Sequence, residues 1–185
     1  MKDIITERLV LRPMCLDYLH SAHEYASDPE NTTYMIFLPS DSIEATEEYI
    51  REAEKEFEKE SPSYYEMAVL LNGVHIGAVS LYLDDSRSSG ELGWTINKRW
   101  WRNGFAFEAA SALMDYAVKE LGVRHFSAHC DTENIPSRRV MEKLGMRLES
   151  EHGGRKNKQS DEERREYLFV YDVPDRSDNG KQVDR

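Results

Sequence analysis

The stretch Trp101-Arg102-Asn103-Gly104-Phe105-Ala106 separates a strand-like run from a long helical pattern and decides the fold. A strand, a short loop with a glycine and a helix N-terminus bring backbone N–H groups together, and the positive end of the helix dipole favours an anion there. Taken alone the spacing is a weak signal, because an ordinary helix cap followed by packing explains it equally well. It predicts a phosphate-binding loop only with support from a second element.

That second element is Asn134-Ile135-Pro136-Ser137, about thirty residues further on, which opens another helical pattern closed by Gly145. Asparagine and serine are common at helix starts, and proline is tolerated in the first turn. Each helix start alone is explained as well by capping. Together they point to a cofactor site.

The composition is typical of one globular domain. At 185 residues with 39% hydrophobic content, the chain is long enough to bury a core. No run approaches eighteen apolar residues, and the charged N-terminus is unlike a signal peptide, so we expect no membrane span and no secretion. Two cysteines, Cys15 and Cys130, without metal-type spacing favour a reduced, cytoplasmic setting.

The net charge of −11 argues against a general nucleic-acid binder, which needs a basic surface. It favours a cationic substrate by electrostatic steering, although solubility alone explains it as well. Basic residues cluster beside both helix starts, where an anionic cofactor would need them: Lys98, Arg99 and Arg102 at the first, Arg138, Arg139 and Lys143 at the second.

Residue periodicity predicts an α/β (α+β) domain over residues 1–173 and a disordered tail over residues 174–185. The dipeptide Asn72-Gly73 predicts a type I′ hairpin. Residues His152–Arg165 read as a long loop. The predicted helices are Leu16–Ala26, Ser42–Lys59, Gly104–Leu121 and Pro136–Leu144, and the predicted strands are Ile4–Pro13, Tyr64–Leu71, Val74–Leu83, Gly90–Ile96, Arg124–Asp131, Met146–Ser150 and Tyr167–Val173.

Four segments together resemble the GNAT superfamily of N-acetyltransferases, most closely its RimJ/RimL-like branch. They are Thr6-Glu7-Arg8-Leu9-Val10-Leu11-Arg12, Gly90-Glu91-Leu92-Gly93-Trp94, the segment from Trp101 to Glu108, and the segment from Asn134 to Met146. The resemblance implies a mixed, twisted sheet of six to seven strands flanked by helices. It also implies a splay between Gly90–Ile96 and Arg124–Asp131, with acetyl-CoA as the co-substrate in that splay.

The resemblance also implies which residues bind the cofactor. The family's loop begins with Gln or Arg and has Gly three and Gly or Ala five positions later, so Gly104 and Ala106 match while Trp101 departs. This departure costs little if backbone N–H groups hold the pyrophosphate. The expected cofactor contacts are Thr95 and Ile96 with Asn134 on pantetheine, Ser137 at the thioester, and the backbone of Arg102, Asn103, Gly104, Phe105 and Ala106 on pyrophosphate.

For catalysis the resemblance implies direct acetyl transfer to an amine. Many members place a tyrosine seven residues after the asparagine to protonate the thiolate, but here that position is Met141, which leaves Ser137 as the candidate acid. Glu91, between apolar neighbours, is the expected base, with a raised pKa. Asp131 is the alternative, and an amine that arrives neutral needs no base. A backbone N–H of the Gly90–Ile96 strand would stabilise the oxyanion.

Other motifs carry less weight. His125, His129 and Cys130 lie on one extended segment and cannot converge on a metal, so we expect no metal site. The expected function is therefore acetyl-CoA-dependent N-acetylation of a primary amine, either a protein N-terminal α-amine or a small molecule. A non-catalytic acyl-CoA sensor is the alternative, because of Met141. We expect no nucleic-acid or membrane partner, and family habit suggests a homodimer.

Overall fold

The computed structural model describes residues 2–174, so the tail predicted at 174–185 lies outside the described residues except for Pro174. Within that range the chain forms eight strands and four α-helices. The helices are α1 (Leu19–Ala26), α2 (Ile43–Phe57), α3 (Phe105–Tyr116) and α4 (Ile135–Lys143). The strands are β1 (Ile4–Ile5), β2 (Leu9–Pro13), β3 (Tyr64–Leu71), β4 (Val74–Leu83), β5 (Ser89–Ile96), β6 (His125–Asp131), β7 (Arg147–Arg155) and β8 (Arg164–Asp172).

The described strands form one mixed sheet in the order β1-β2-β3-β4-β5-β6-β8-β7. Every neighbouring pair is antiparallel except β5 and β6, which are parallel and joined through α3. The Asn72-Gly73 turn between β3 and β4 has φ of +51° and +81°, which confirms the predicted type I′ hairpin. The α/β class and the mixed, helix-flanked sheet are thereby confirmed.

The segment Ile4–Pro13 differs from its prediction as one strand, and this raises the strand count to eight. It folds into a tight hairpin, with Ile5 paired to Val10 and the Thr6 N–H donating to the Leu9 carbonyl at 2.9 Å. Side-chain contacts with Glu108 on α3 hold the turn. Contacts between residues so far apart in the chain cannot be predicted from the local sequence pattern.

The predicted loop at His152–Arg165 is wrong in extent. β7 runs to Arg155 and β8 begins at Arg164, so the two strands form a long antiparallel hairpin whose turn covers only residues 156–163. Nearly every residue of β7 is exposed, so the strand lacks the apolar alternation by which strands are recognised.

Two apolar clusters cover the two faces of the sheet. The larger one joins α3 and α4 to one face through residues such as Leu113, Met141 and Val79. The smaller one joins α1 and α2 to the other face through Tyr25, Ile50 and residues of β3 and β4. No helix in residues 2–174 is long and apolar enough to cross a membrane.

β5 and β6 separate partway along their length. They pair at Ser89–His125, Gly90–Phe126 and Glu91–Ser127, and beyond those residues no further pair joins them in the described chain. We call the opening beyond Glu91 and Ser127 the fork. It occurs between the two strands for which a splay was predicted.

Candidate active site

The loop at residues 102–107 leads into α3 with unoccupied N–H groups. Gly104 caps α3 at φ +80° and Arg102 adopts φ +64°, conformations that turn neighbouring N–H groups into a concave anion site. Among the described residues no group accepts a hydrogen bond from the N–H of residues 102–107. The first bond of the turn joins the Glu108 N–H to the Gly104 carbonyl at 3.1 Å. The loop therefore fits a pyrophosphate.

The same loop is held from the outside by the turn of the β1–β2 hairpin. The Glu108 carboxylate accepts hydrogen bonds from the Thr6 hydroxyl at 2.6 Å, the Arg8 N–H at 2.9 Å and the Arg8 Nε at 2.7 Å. Arg8 Nη1 also donates to the Asn103 carbonyl at 3.0 Å. Burial would raise the pKa of Glu108, but the hydrogen bonds from Thr6 and Arg8 outweigh it and lower that pKa.

Trp101, which departs from the family pattern, fastens the loop to β5. Its Nε1 donates to the Ile96 carbonyl at 2.7 Å. The same carbonyl accepts from Asn31 Nδ2 at 3.3 Å, and Asn31 Oδ1 accepts the Lys98 N–H at 2.6 Å. The indole thus holds the loop to the strand by a contact that needs an N–H donor, and the Ile96 carbonyl is already occupied.

The hydrogen-bond pattern of β4 and β5 decides which backbone groups of β5 reach the fork. The Asp84 N–H donates to the Ser89 carbonyl and the Asn97 N–H to the Ile76 carbonyl. Because bonded pairs alternate along an antiparallel ladder, Glu91, Gly93 and Thr95 also bond to β4 through their backbones.

The backbone groups of Trp94 and Ile96 consequently point toward the fork. This differs from the expectation for Thr95, whose backbone N–H and C=O are used by the β4 ladder. Since the Ile96 carbonyl accepts hydrogen bonds from Trp101 and Asn31, the Trp94 N–H and C=O and the Ile96 N–H are the groups of these two residues that remain for a ligand.

α4 begins on the other side of the fork, at the end of β6. Asn134 caps this helix, and its Oδ1 accepts a hydrogen bond from the Ser137 N–H at 3.2 Å. Its Nδ2 donates to no acceptor within residues 2–174. The Ser137 hydroxyl, half-buried, likewise has no hydrogen-bond partner in the described chain. Met141 is fully buried in the larger core cluster, so its side chain does not line the fork.

The two carboxylates considered as bases occupy different surroundings. Glu91 is exposed at the mouth of the fork, so it lacks the burial expected for it. Asp131 is fully buried but tied down by Arg164 Nε at 2.9 Å and by Asn157 Nδ2 at 2.7 Å. Burial would raise the pKa of Asp131, yet these hydrogen bonds lower it, which suits a structural anchor better than a proton acceptor.

A third carboxyl, Glu66, was not predicted from the sequence. It stands on β3 with 4% of its surface exposed, and its Oε2 has no hydrogen-bond partner among the described residues. Burial raises the pKa of Glu66 to about 7, and a hydrogen bond from Tyr49 partly offsets the shift. The available signal was one acidic residue inside the otherwise apolar run Tyr64–Leu71.

The segment between α1 and α2 and the β7–β8 turn meet near the end of β6. Lys158 binds Asp41 at 2.9 Å, and Gln159 Nε2 donates to the Thr32 hydroxyl at 2.9 Å. They enclose a polar cavity of about 310 Å³ lined by Thr33, Tyr34, Glu133, Asn157, Gln159, Ser160 and Arg164.

Comparison with known sequences identifies one family over most of the chain. The family model for the acetyltransferase (GNAT) domain matches residues 8–147. The chain is 31% identical over 146 residues to YnaD, an uncharacterized N-acetyltransferase of Bacillus subtilis (strain 168). The aligned region covers 79% of this chain and 83% of YnaD.

Solved structures show the same fold. An acetyltransferase (GNAT family) from Bacillus anthracis has a TM-score of 0.79 at 26% identity, covering 92% of this chain and 98% of its own. RimL, a ribosomal alpha-N-protein acetyltransferase in complex with coenzyme A, has a TM-score of 0.80 at 14% identity, covering 93% and 98%. At that identity the likeness to RimL concerns the fold alone.

Proposed function

The chain belongs to the GNAT family of acetyl-CoA-dependent N-acetyltransferases, and we propose that it acetylates a primary amine directly, without a covalent enzyme intermediate. The observation that carries the proposal is the fork, which opens between the unoccupied N–H groups of residues 102–107 and the free donors of Asn134 and Ser137.

The residues present fit acetyl-CoA, which supplies the acetyl group as a thioester when it is bound. Backbone N–H groups of residues 102–106 would hold the pyrophosphate. The Trp94 backbone and the Ile96 N–H would hold the pantetheine on one side of the fork, and Asn134 Nδ2 on the other. A backbone N–H of β5 that points into the fork would also stabilise the thioester oxygen.

The Ser137 hydroxyl is the proposed proton donor to the leaving thiolate. It stands in the first turn of α4, where the helix dipole favours a developing negative charge. The side chain has no competing hydrogen bond in residues 2–174, so its proton is available.

Glu91 is the proposed carboxylate that meets the acceptor amine and takes its proton. It lies at the last β5–β6 pair, on the sheet face away from the larger core, where the acceptor can approach. Tyr82 lies opposite it on β4. The acidic charge of the chain supports a cationic acceptor, which includes both protein N-terminal amines and small amines.

The loop assignment is tested by a matched pair of substitutions. Gly104→Ala and Gly104→Glu carry the same backbone strain at φ +80°, but only the second adds a charge where phosphate is expected. Calorimetric titration with acetyl-CoA should show binding to Gly104→Ala and none to Gly104→Glu, with both folded by circular dichroism. Equal affinity of the two variants would refute the loop assignment.

A sensor function is the second candidate, favoured by the buried Met141 in place of a proton-donating tyrosine. The two functions separate in one assay. A sensor binds acetyl-CoA and releases no thiol with any amine, whereas the proposed enzyme releases thiol in an amine-dependent way.

A further inference from the structure

His129 is the first β6 residue inside the fork whose side chain lies on the same sheet face as Glu91. Ser127 pairs with Glu91 where the two strands last meet, and side chains two residues apart on a strand share a face. Ala128, between them, belongs to the larger core on the opposite face. At the usual rise per residue of a strand, His129 stands about 7 Å beyond the closing pair. Glu91 and His129 therefore border the same part of the fork.

The imidazole of His129 is held in one orientation by a carboxylate. Its Nδ1 lies 3.1 Å from Oε1 of Glu166 on β8. A carboxylate only accepts hydrogen bonds, so Nδ1 carries the proton and Nε2 of the neutral ring is an acceptor. Nε2 has no hydrogen-bond partner within residues 2–174, and the side chain is 30% exposed. The ring thus keeps one proton-accepting nitrogen for a ligand.

Glu166 is in turn held by β7. It is 13% exposed and forms an ion pair with Arg155, which is 7% exposed. Arg155 also donates from Nη2 to the Tyr34 carbonyl at 2.7 Å and from Nε to Asn157 Oδ1 at 2.9 Å. A base whose ring is oriented by a third, fixed group is the usual arrangement of a catalytic imidazole.

The proposed reaction needs a second proton acceptor beside Glu91. An ammonium carries three protons on nitrogen and the secondary amide product carries one, so two protons leave the acceptor nitrogen. Glu91 takes the first, which frees the lone pair that attacks the thioester carbonyl. The nitrogen of the tetrahedral adduct is then positively charged and has another proton to lose, and Glu91 already holds one.

We propose that His129 is the catalytic residue that takes this second proton, at Nε2. The inference rests on the proposed function and adds a second base to it. The N–H bond breaks towards His129, the oxyanion reforms the carbonyl as the C–S bond breaks, and the thiolate takes its proton from Ser137. His129 then gives its proton to solvent and Ser137 regains one, so each cycle releases one net proton, the one that Glu91 took.

The charged groups around His129 are compatible with this role. Its Nδ1 partner Glu166 lies beside the imidazolium that forms, and a neighbouring carboxylate favours positive charge. His152 contacts the same Glu166 oxygen through Nε2 at 3.3 Å, but it is 50% exposed and lies on β7, outside the fork. The titratable and charged groups that face His129 are Glu166 on β8, Arg155 and His152 on β7, Glu91 on β5 and Asp131 on β6 itself.

The test is thiol release by His129→Ala, with and without added imidazole, and His152→Ala is the matched control. With a primary-amine acceptor, we expect His129→Ala to lose roughly ten- to a hundredfold in kcat, and imidazole to restore part of the loss. We expect His152→Ala to keep its activity and to ignore imidazole, because it touches the same carboxylate without bordering the fork.

Two further measurements separate a proton acceptor from a structural contact. His129→Gln can still donate a hydrogen bond to Glu166 but cannot take up a proton, so it should fold normally, bind acetyl-CoA with unchanged affinity and show the same loss in kcat. The loss should persist at pH 9.5, where more of the amine arrives neutral, because a neutral amine still has one proton to lose.

Four outcomes would overturn the inference: full activity in His129→Gln, a loss in His129→Ala that imidazole does not restore, an equal loss in His152→Ala, or a loss that disappears at pH 9.5. The last outcome would assign His129 to the first proton. Failure of the proposed function is a separate result, because the unmodified protein would then release no thiol with any amine at any pH.

Discussion

At the scale of single residues, the most unusual feature is a carboxyl group placed where an apolar side chain would be more stable. Glu66 is buried on β3 and its pKa is raised by burial to about 7, from 4.5. A raised pKa in the folded state means that folding favours the protonated form. The stability that this proton supports is fully present below pH 4.5 and is lost as the pH rises through 7.

Replacing Glu66 by Gln should therefore stabilise the protein at neutral pH. We expect the free energy of unfolding of Glu66→Gln to exceed that of the unmodified protein by about 3 kcal/mol at pH 8, and the difference to vanish near pH 4. Urea unfolding at several pH values measures it. A difference that stays constant with pH would show that Glu66 does not titrate in this range.

Substitution of Ser137 tests whether its hydroxyl donates the proton to the leaving thiolate. Ser137→Ala should lower kcat by roughly ten- to a thousandfold, the usual contribution of acid–base catalysis, while the affinity for acetyl-CoA changes little. The Asn134 cap is retained, because it uses the backbone N–H of residue 137. Full activity in this variant, measured by thiol release, would remove Ser137 from the mechanism.

At the scale of elements, the loop proposed to bind phosphate, residues 102–106, is held in place by the β1–β2 hairpin. Arg8 bonds to Glu108 and to the Asn103 carbonyl, so one side chain connects the hairpin turn to both the loop and α3. Its guanidinium also lies 4.7 Å from the centre of the Phe105 ring. These contacts hold the loop in shape before any anion is bound, which reduces the entropy lost on binding.

Arg8→Ala should weaken acetyl-CoA binding by roughly three- to tenfold, a modest effect because Arg8 is partly exposed. Arg12→Ala is the matched control, since Arg12 forms an exposed ion pair with Asp3 on the same hairpin and does not touch the loop. Calorimetry should show a loss for Arg8→Ala alone. An equal loss in both variants would mean that general hairpin stability, and not the loop contact, is responsible.

Local patterns predicted the elements that have apolar periodicity or special turn residues. The hairpin at Asn72-Gly73 and α3 follow from such signals, whereas the position of the fork was expected only from the resemblance to the GNAT superfamily. The full length of β7 was not predicted, because its residues are exposed and show no alternation of apolar and polar side chains. The β1–β2 turn was not predicted, because Glu108, a hundred residues away in the chain, helps to hold it. The expectation for Thr95 differs from the structure because the register of β4 and β5 cannot be read from the sequence. A shift of one residue exchanges the backbone groups that face β4 with those that face the fork.

At the scale of the whole molecule, the sheet separates two tasks. The face covered by α3 and α4 contains the larger core and leads to the loop at residues 102–107, while the other face carries Glu91, Tyr82 and Glu66. The fork joins the two faces. The chain is acidic overall, and Arg8 and Lys98, which lie beside the loop at residues 102–107, are paired with Glu108 and with Asp28 and Glu30.

The measurement that tests the central claim most directly is a calorimetric titration of the protein with acetyl-CoA, followed by thiol release against a panel of amines and N-terminal peptides. We predict saturable binding of acetyl-CoA at one site per chain, and thiol release that depends on the amine. Binding without thiol release for any amine would contradict catalysis and support the sensor, and no binding at all would contradict the assigned cofactor site.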